Sequence, residues 1–159
     1  MKRQIMKLGQ IISRFQIDGI NLSPASASIL ISYTNYDAEA AWILYIELVT
    51  RVTTQPLDDD SGTEKSALES IYSIFSQTRE VLKKYGRKAK SFTRIAIIVL
   101  NQIVRPFTSK WHPLFENDRV NDEETCQKFR KELNDLRQNL IHYAKLLANM
   151  ASVDDLTEI

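Results

Sequence analysis

Apolar residues recur at steps of three and four through four long stretches of the chain, the spacing that gathers one face of an α-helix. The first stretch, 36–55, carries Ala38, Ala41, Trp42, Tyr45, Leu48, Val49 and Val52 on one stripe, and Pro56 stops it. The second, 62–85, carries Ala67, Leu68, Ile71, Ile74, Phe75, Thr78, Leu82 and Tyr85. Ser61 and Glu64 have the spacing of a capping box, and Gly86 follows where a left-handed helix end favours glycine. The third, 89–116, is apolar nearly all round over "IAIIVLNQIV", which predicts a central, buried helix. Pro106 removes a backbone donor and crowds the preceding turn, so a kink or break is expected near 102–106. A short continuation with Phe107, Trp111, Leu114 and Phe115 is expected to end near Pro113. The fourth stretch, 122–152, has a narrow seam of Phe129, Leu133, Leu136, Leu140, Ala144, Leu147 and Ala151, with Asn121 and Glu124 as candidate caps.

Residues 1–34 break this pattern. "RFQIDGINLS" and "ASILISYT" show some apolar alternation around Pro24, which suggests a small β-hairpin or an irregular arm. The expected organisation is therefore an N-terminal arm over 1–34 and a helical bundle domain over 35–159. Short connections favour antiparallel neighbours, so the predicted fold is mostly α: a four-helix up-down bundle with a kinked third helix. A length of 159 residues suits one domain, and only four glycines and four prolines favour long helices over many turns.

Composition narrows the function classes. A formal net charge of +1 supplies no global field toward nucleic acid or an anionic membrane, so nucleic acid is not the favoured partner. The single cysteine, Cys126, excludes an internal disulfide and a Cys-rich zinc site. No metal site and no cofactor are expected, and the cytoplasm is the expected compartment. "MKRQIMKLGQIISRF" lacks the uninterrupted apolar core and cleavage site of a signal peptide, and the longest apolar run is about half a membrane span. There is no Gly-rich phosphate loop, nucleophile elbow or Ser/His/Asp set, so enzyme activity is not indicated.

Four stretches carry candidate chemistry or contacts. Lys83, Lys84, Arg87, Lys88 and Lys90 gather at the turn between the second and third helices, while Asp58–Asp60 and Glu116–Glu124 put acid at the other pole. Helix dipoles account for most of this arrangement, and anion binding is the functional reading of the basic turn. "RPFTSKWHP" places Arg105, Phe107, Lys110 and Trp111 together. They are either interaction anchors or, for Phe107 and Trp111 four apart, a cap on the bundle core. In "WILYIELVTR", Glu47 and Arg51 are spaced as an ion pair. Ile43, Leu44 and Ile46 fall off the main stripe, available to the arm or a partner.

The fourth stretch is "RQNLIHYAK", where four residues separate Arg137 from His142. This R-x4-H spacing on a bundle helix resembles the HEPN group of helical ribonucleases and nucleotide-binding domains. The resemblance implies a metal-independent pair at a dimer interface, with Arg137 steadying phosphate charge and His142 taking part in RNA cleavage through the 2′-hydroxyl. Gln138 stands where many members carry a small polar residue. On a helical wheel Arg137 lies roughly 70° from the seam centre and His142 nearly opposite it, on a face that reads as solvated. Residues 36–156, with "AAWILYIELVTR" and "VLNQIVRPFTSKWH", also look like a set of small bacterial helical proteins. That likeness implies a bacterial cytoplasmic protein, an accessory of a larger effector such as an anti-phage defence system. The expected function is a non-enzymatic interaction module binding a protein partner or itself. The alternative is a HEPN-like ribonuclease or its inactive relative.

Overall fold

A computed structural model describes residues 5–50 and 64–157. The elements, in chain order, are β1 (Met6–Lys7), α1 (Leu8–Arg14), α2 (Pro24–Ala27), β2 (Leu30–Ile31), α3 (Asn35–Val49) and α4 (Glu64–Tyr85). They continue as α5 (Lys90–Val99), a π-helical turn (Leu100–Val104), α6 (Arg105–Glu116) and α7 (Glu123–Ala151). The chain is mostly helical, with a two-stranded antiparallel sheet at its N-terminus. No helix of the described residues is long and apolar enough to cross a membrane. Pro56, Ser61, Arg51, Val52 and Asp58–Asp60, each given a part in the sequence reading, lie outside the described residues.

The arm pairs Met6 with Ile31 and Lys7 with Leu30, but two helices separate the strands, so it is not a simple hairpin. Leu8, Ile11 and Ile12 recur at helical spacing and are all buried, which draws the chain out of extended backbone after Lys7. Ser23 then caps α2 by accepting from the Ser26 amide, with Pro24 in the first turn, where its missing N–H costs nothing. Leu8, Ile11, Ile12, Ile17 and Ile31 join the same core as the helices.

Helix α3 is central, packing on α7, α4 and α5. Thr34 and Asp37 close a capping box at its start: the Thr34 hydroxyl accepts from the Asp37 amide, and Asp37 Oδ2 accepts from the Thr34 amide at 2.8 Å. Asp37 Oδ1 also accepts from the Phe92 amide at 2.8 Å, capping α5, whose own N-cap Ala89 has no side-chain acceptor. One buried carboxylate thus serves two helix starts. The buried stripe is Ala40, Ala41, Leu44, Tyr45 and Leu48, rotated from the expected one: Leu44 is buried and Trp42 is 42% exposed. Apolar residues lie on nearly every side of α3, so its periodicity does not choose the inner face.

The third stretch is also one-sided. Phe92, Ile95, Ala96 and Val99 are buried while Ile97 is exposed. The break expected near Pro106 is a π-turn over Leu100–Val104, slightly earlier than predicted. Proline at 106 cannot donate to the Gln102 carbonyl, and the widened turn absorbs that mismatch. Helix α6 continues through Pro113 to Glu116 instead of ending there. Ser109, whose carbonyl loses its donor to Pro113, lies on the exposed face.

Gly86 ends α4 by close approach, not by a left-handed backbone: a Cβ there would sit 2.5 Å from the Leu82 carbonyl oxygen. Asp122, one residue beyond the expected cap, starts α7 by accepting from the Thr125 amide at 2.8 Å. After Ser152, in left-handed backbone, the chain returns across α3. There the Tyr45 hydroxyl donates to the Asp154 carbonyl at 3.1 Å and accepts from the Leu156 amide at 2.6 Å.

Candidate functional site

Arg137 and His142 occupy different environments on α7. Arg137 is 7% exposed, and burial lowers its pKa from the ordinary guanidinium value. The wheel put it on the flank of the seam; the buried face of α7 is wide enough to take it in along with Tyr143, Leu146 and Ala148. His142 is only half-buried, with Nδ1 2.8 Å from the carbonyl oxygen of Gln16 in the arm. Asn139, one turn earlier, accepts from the Asp18 amide at 3.0 Å and donates back to the Asp18 carbonyl at 3.2 Å. The face read as solvated therefore carries the arm. Tyr143, next to His142, is buried, which pushes its hydroxyl above the ordinary phenol range.

The stretch 105–111 is split between interior and surface. Phe107 and Trp111 are buried around Phe129, with ring centroids 5.5 Å and 5.1 Å away, and Phe115 packs on the same ring at 5.3 Å. Trp111 Nε1 donates to Glu132 Oε2 at 2.8 Å, and Lys110 pairs with the other oxygen of that carboxylate. Burial works against the charged form of Glu132, but these donors and the Lys110 charge hold its pKa below the ordinary value. Arg105 stands apart, exposed, with its guanidinium carbon 5.1 Å from the Phe75 ring centre.

The basic turn is spread over separate partners. Lys83 pairs with Glu80 at 3.1 Å, Lys84 lies over Tyr85, and Lys88 lies over Tyr36 of α3 at 4.9 Å. Lys90 borders an open groove with Gly86, Thr93 and Arg94, while Arg87 is exposed. The five cations do not converge on one pocket. Among the described residues no three His, Cys, Asp or Glu side chains are grouped to hold a metal ion.

Two features were missed wholly or in part in the sequence: of the second, only Ile46 was read as available to the arm or a partner. The first is a cleft between α4 and α6. Tyr72, Phe75 and Arg79 present one stripe of α4, and Arg105, Ser109 and His112 present the matching stripe of α6. Tyr72 and His112 stack across it, ring centroids 5.0 Å apart and planes 20° apart. The Arg79 guanidinium also reaches the Phe75 ring, at 6.0 Å. The other side of the Tyr72–His112 pair opens into a groove of about 450 Å³ floored by Leu68 and Phe115, with Glu69, Glu116 and Asp118 on its walls. Steps of three and four linking Tyr72, Phe75 and Arg79 were legible; that they face Arg105 was not.

The second is an apolar face on α3 and the C-terminal segment. Trp42 and Ile46, one turn apart, are 42% and 37% exposed, and Leu156 is 44% exposed. Trp42 stacks on Tyr45 at 6.1 Å, and Leu156 bonds to the Tyr45 hydroxyl, so Tyr45 joins the two parts. Exposed Glu39, Asp154 and Asp155 flank it.

Comparison of the chain with protein-family models, with curated proteins and with solved structures finds no match.

Proposed function

We propose that this chain is a non-enzymatic interaction module of the cytoplasm. In this reading the four long helical segments form an up-down bundle, kinked in the third, which docks a protein partner through the α3 and C-terminal face. The observation that carries it is the exposed Trp42, Ile46 and Leu156 group around Tyr45. Large apolar side chains grouped on a surface mark contact sites, and tryptophan is a common anchor. The flanking carboxylates Glu39, Asp154 and Asp155 select a partner whose apolar contact residues are rimmed by lysine or arginine.

A basic amphipathic leucine–lysine helix peptide tests this chemistry. Trp111 is buried, so Trp42 is the exposed tryptophan reporting on the face. Saturable binding with a blue shift of Trp42 emission, weakening with salt, is expected. An Ile46→Ser/Leu156→Ser variant keeps its far-ultraviolet circular dichroism and loses the binding. Absence of saturable binding, or equal binding by the variant, overturns the reading.

The alternative ribonuclease reading requires Arg137 and His142 of two subunits to meet around a phosphate. The burial of Arg137 and the His142–Gln16 contact weigh against it in the single chain. RNA cleavage by the wild type that disappears in a folded His142→Ala variant would reverse that preference.

A further inference from the structure

We infer that the α4–α6 cleft is a binding site for a small zwitterion with a phosphate at one end and an ammonium group at the other. The basic half supplies the phosphate site. Arg79 and Arg105 approach the single Phe75 ring at 6.0 Å and 5.1 Å, which holds two like charges beside one small cleft. Its lining contains no carboxylate, and among the described residues neither arginine pairs with one. Arg105 is steadied by donating its Nε to the Asn101 amide oxygen at 3.1 Å, leaving its terminal nitrogens for a ligand. Two planar guanidinium forks match the oxygens of a phosphate better than any neutral ligand. Ser109 adds a hydroxyl on the same wall.

The second half carries the opposite sign. The groove beyond Tyr72 and His112 holds Glu69, Glu116 and Asp118 against one cation, Lys65. Glu116 lies 3.6 Å from His112 Nδ1, so the carboxylate nearest the divide is turned toward the shared wall. Tyr72, half exposed, is an aromatic ring whose face, not its edge, attracts an alkylammonium group. Its volume of about 450 Å³ falls within the roughly 300–1,000 Å³ of small-molecule sites. Tyr72 and His112 line both halves, so a ligand seated over that pair has the two arginines on one side and Glu69, Glu116 and Asp118 on the other. Neither half matches a plain anion or a plain amine as well as both do a molecule carrying the two.

Calorimetric titration of the full chain with phosphoethanolamine is the test, with inorganic phosphate and ethanolamine as single-ended controls. Saturable binding in the roughly millimolar range or tighter is expected, with each control weaker. An Arg79→Gln/Arg105→Gln variant keeps its circular dichroism, since both side chains are exposed, and loses about tenfold or more in affinity. A Glu69→Gln/Glu116→Gln variant weakens phosphoethanolamine but leaves inorganic phosphate unchanged. No binding at about 10 mM, equal binding by the arginine variant, or inorganic phosphate binding as well as phosphoethanolamine overturns the inference. Cosedimentation with phosphatidylethanolamine vesicles, competed by free phosphoethanolamine, assigns the ligand to a lipid headgroup; its absence assigns it to a soluble compound.

Discussion

Trp111 and Trp42 are the same residue in opposite circumstances. Trp111 is 1% exposed, meets Phe129 edge-on and has its indole N–H satisfied by Glu132. Trp42 is 42% exposed and stacked on Tyr45. A buried tryptophan with a satisfied donor belongs to the fold, whereas one left on an apolar face has contact area to spare. From the sequence Trp42 was set in the core stripe, whereas it is exposed; Trp111 was left as either an interaction anchor or a cap on the bundle core, and its burial matches the cap.

The largest test of this contrast is stability. Trp111→Ala should cost about 3–5 kcal/mol in urea denaturation, the range for emptying a packed aromatic site. Trp42→Ala should cost about 1 kcal/mol or less, as for a side chain far from fully buried. Equal costs would mean that the α3 face is structural after all.

Asp37 sharpens the same contrast with a polar group. It is 1% exposed, yet each oxygen is engaged by the start of a helix. Asp37→Ala strands the Thr34 and Phe92 amides, and a loss of about 2–4 kcal/mol is expected from two caps. Asp37→Asn keeps an acceptor and should cost less. Hydrogen exchange at the Phe92 amide reads the second cap directly, and it should speed up in both variants.

How much of this was legible follows from where each signal resides. The long helices were readable because Phe129, Leu133, Leu136 and Leu140 repeat at helical spacing, and the break before α6 because Pro106 lacks a donor. The inner face of α3 was not, since Ile43, Leu44 and Ile46 blur its periodicity. Local spacing also cannot report that Asp37 reaches Phe92, 55 residues away, or that Arg79 and Arg105 share one ring. The arm's cover over His142 is of the same kind: Gln16 and Asp18 reach α7 from more than a hundred residues away.

Acid should separate the Trp111 region from the α3 face. The Glu132 carboxyl, which burial disfavours as an ion, is held below its ordinary pKa by Lys110 and Trp111. A depressed folded pKa gives stability that is full above the unfolded value, about 4.3, and lost as pH falls through the lowered folded value. Glu132→Gln should remove that part of the acid dependence, by less than about 1 kcal/mol because the site is partly solvated. Denaturation midpoints from pH 6 downward, compared for the two proteins, measure it; parallel curves would detach Glu132 from the stability of the Trp111 region.

The smallest expected effect separates two lysine–glutamate pairs. Lys83 and Glu80 are about 70% exposed, one turn apart on a helix surface, and Lys83→Ala should change stability by about 0.5 kcal/mol or less. Lys110 meets a Glu132 that is 31% exposed and already bonded to Trp111, so Lys110→Ala should cost more. Added salt should erase the first effect and only reduce the second, because screening reaches solvent-exposed charges first. If salt removes both equally, Glu132 is anchored by Trp111 alone, and Lys110 is free to serve as a surface contact.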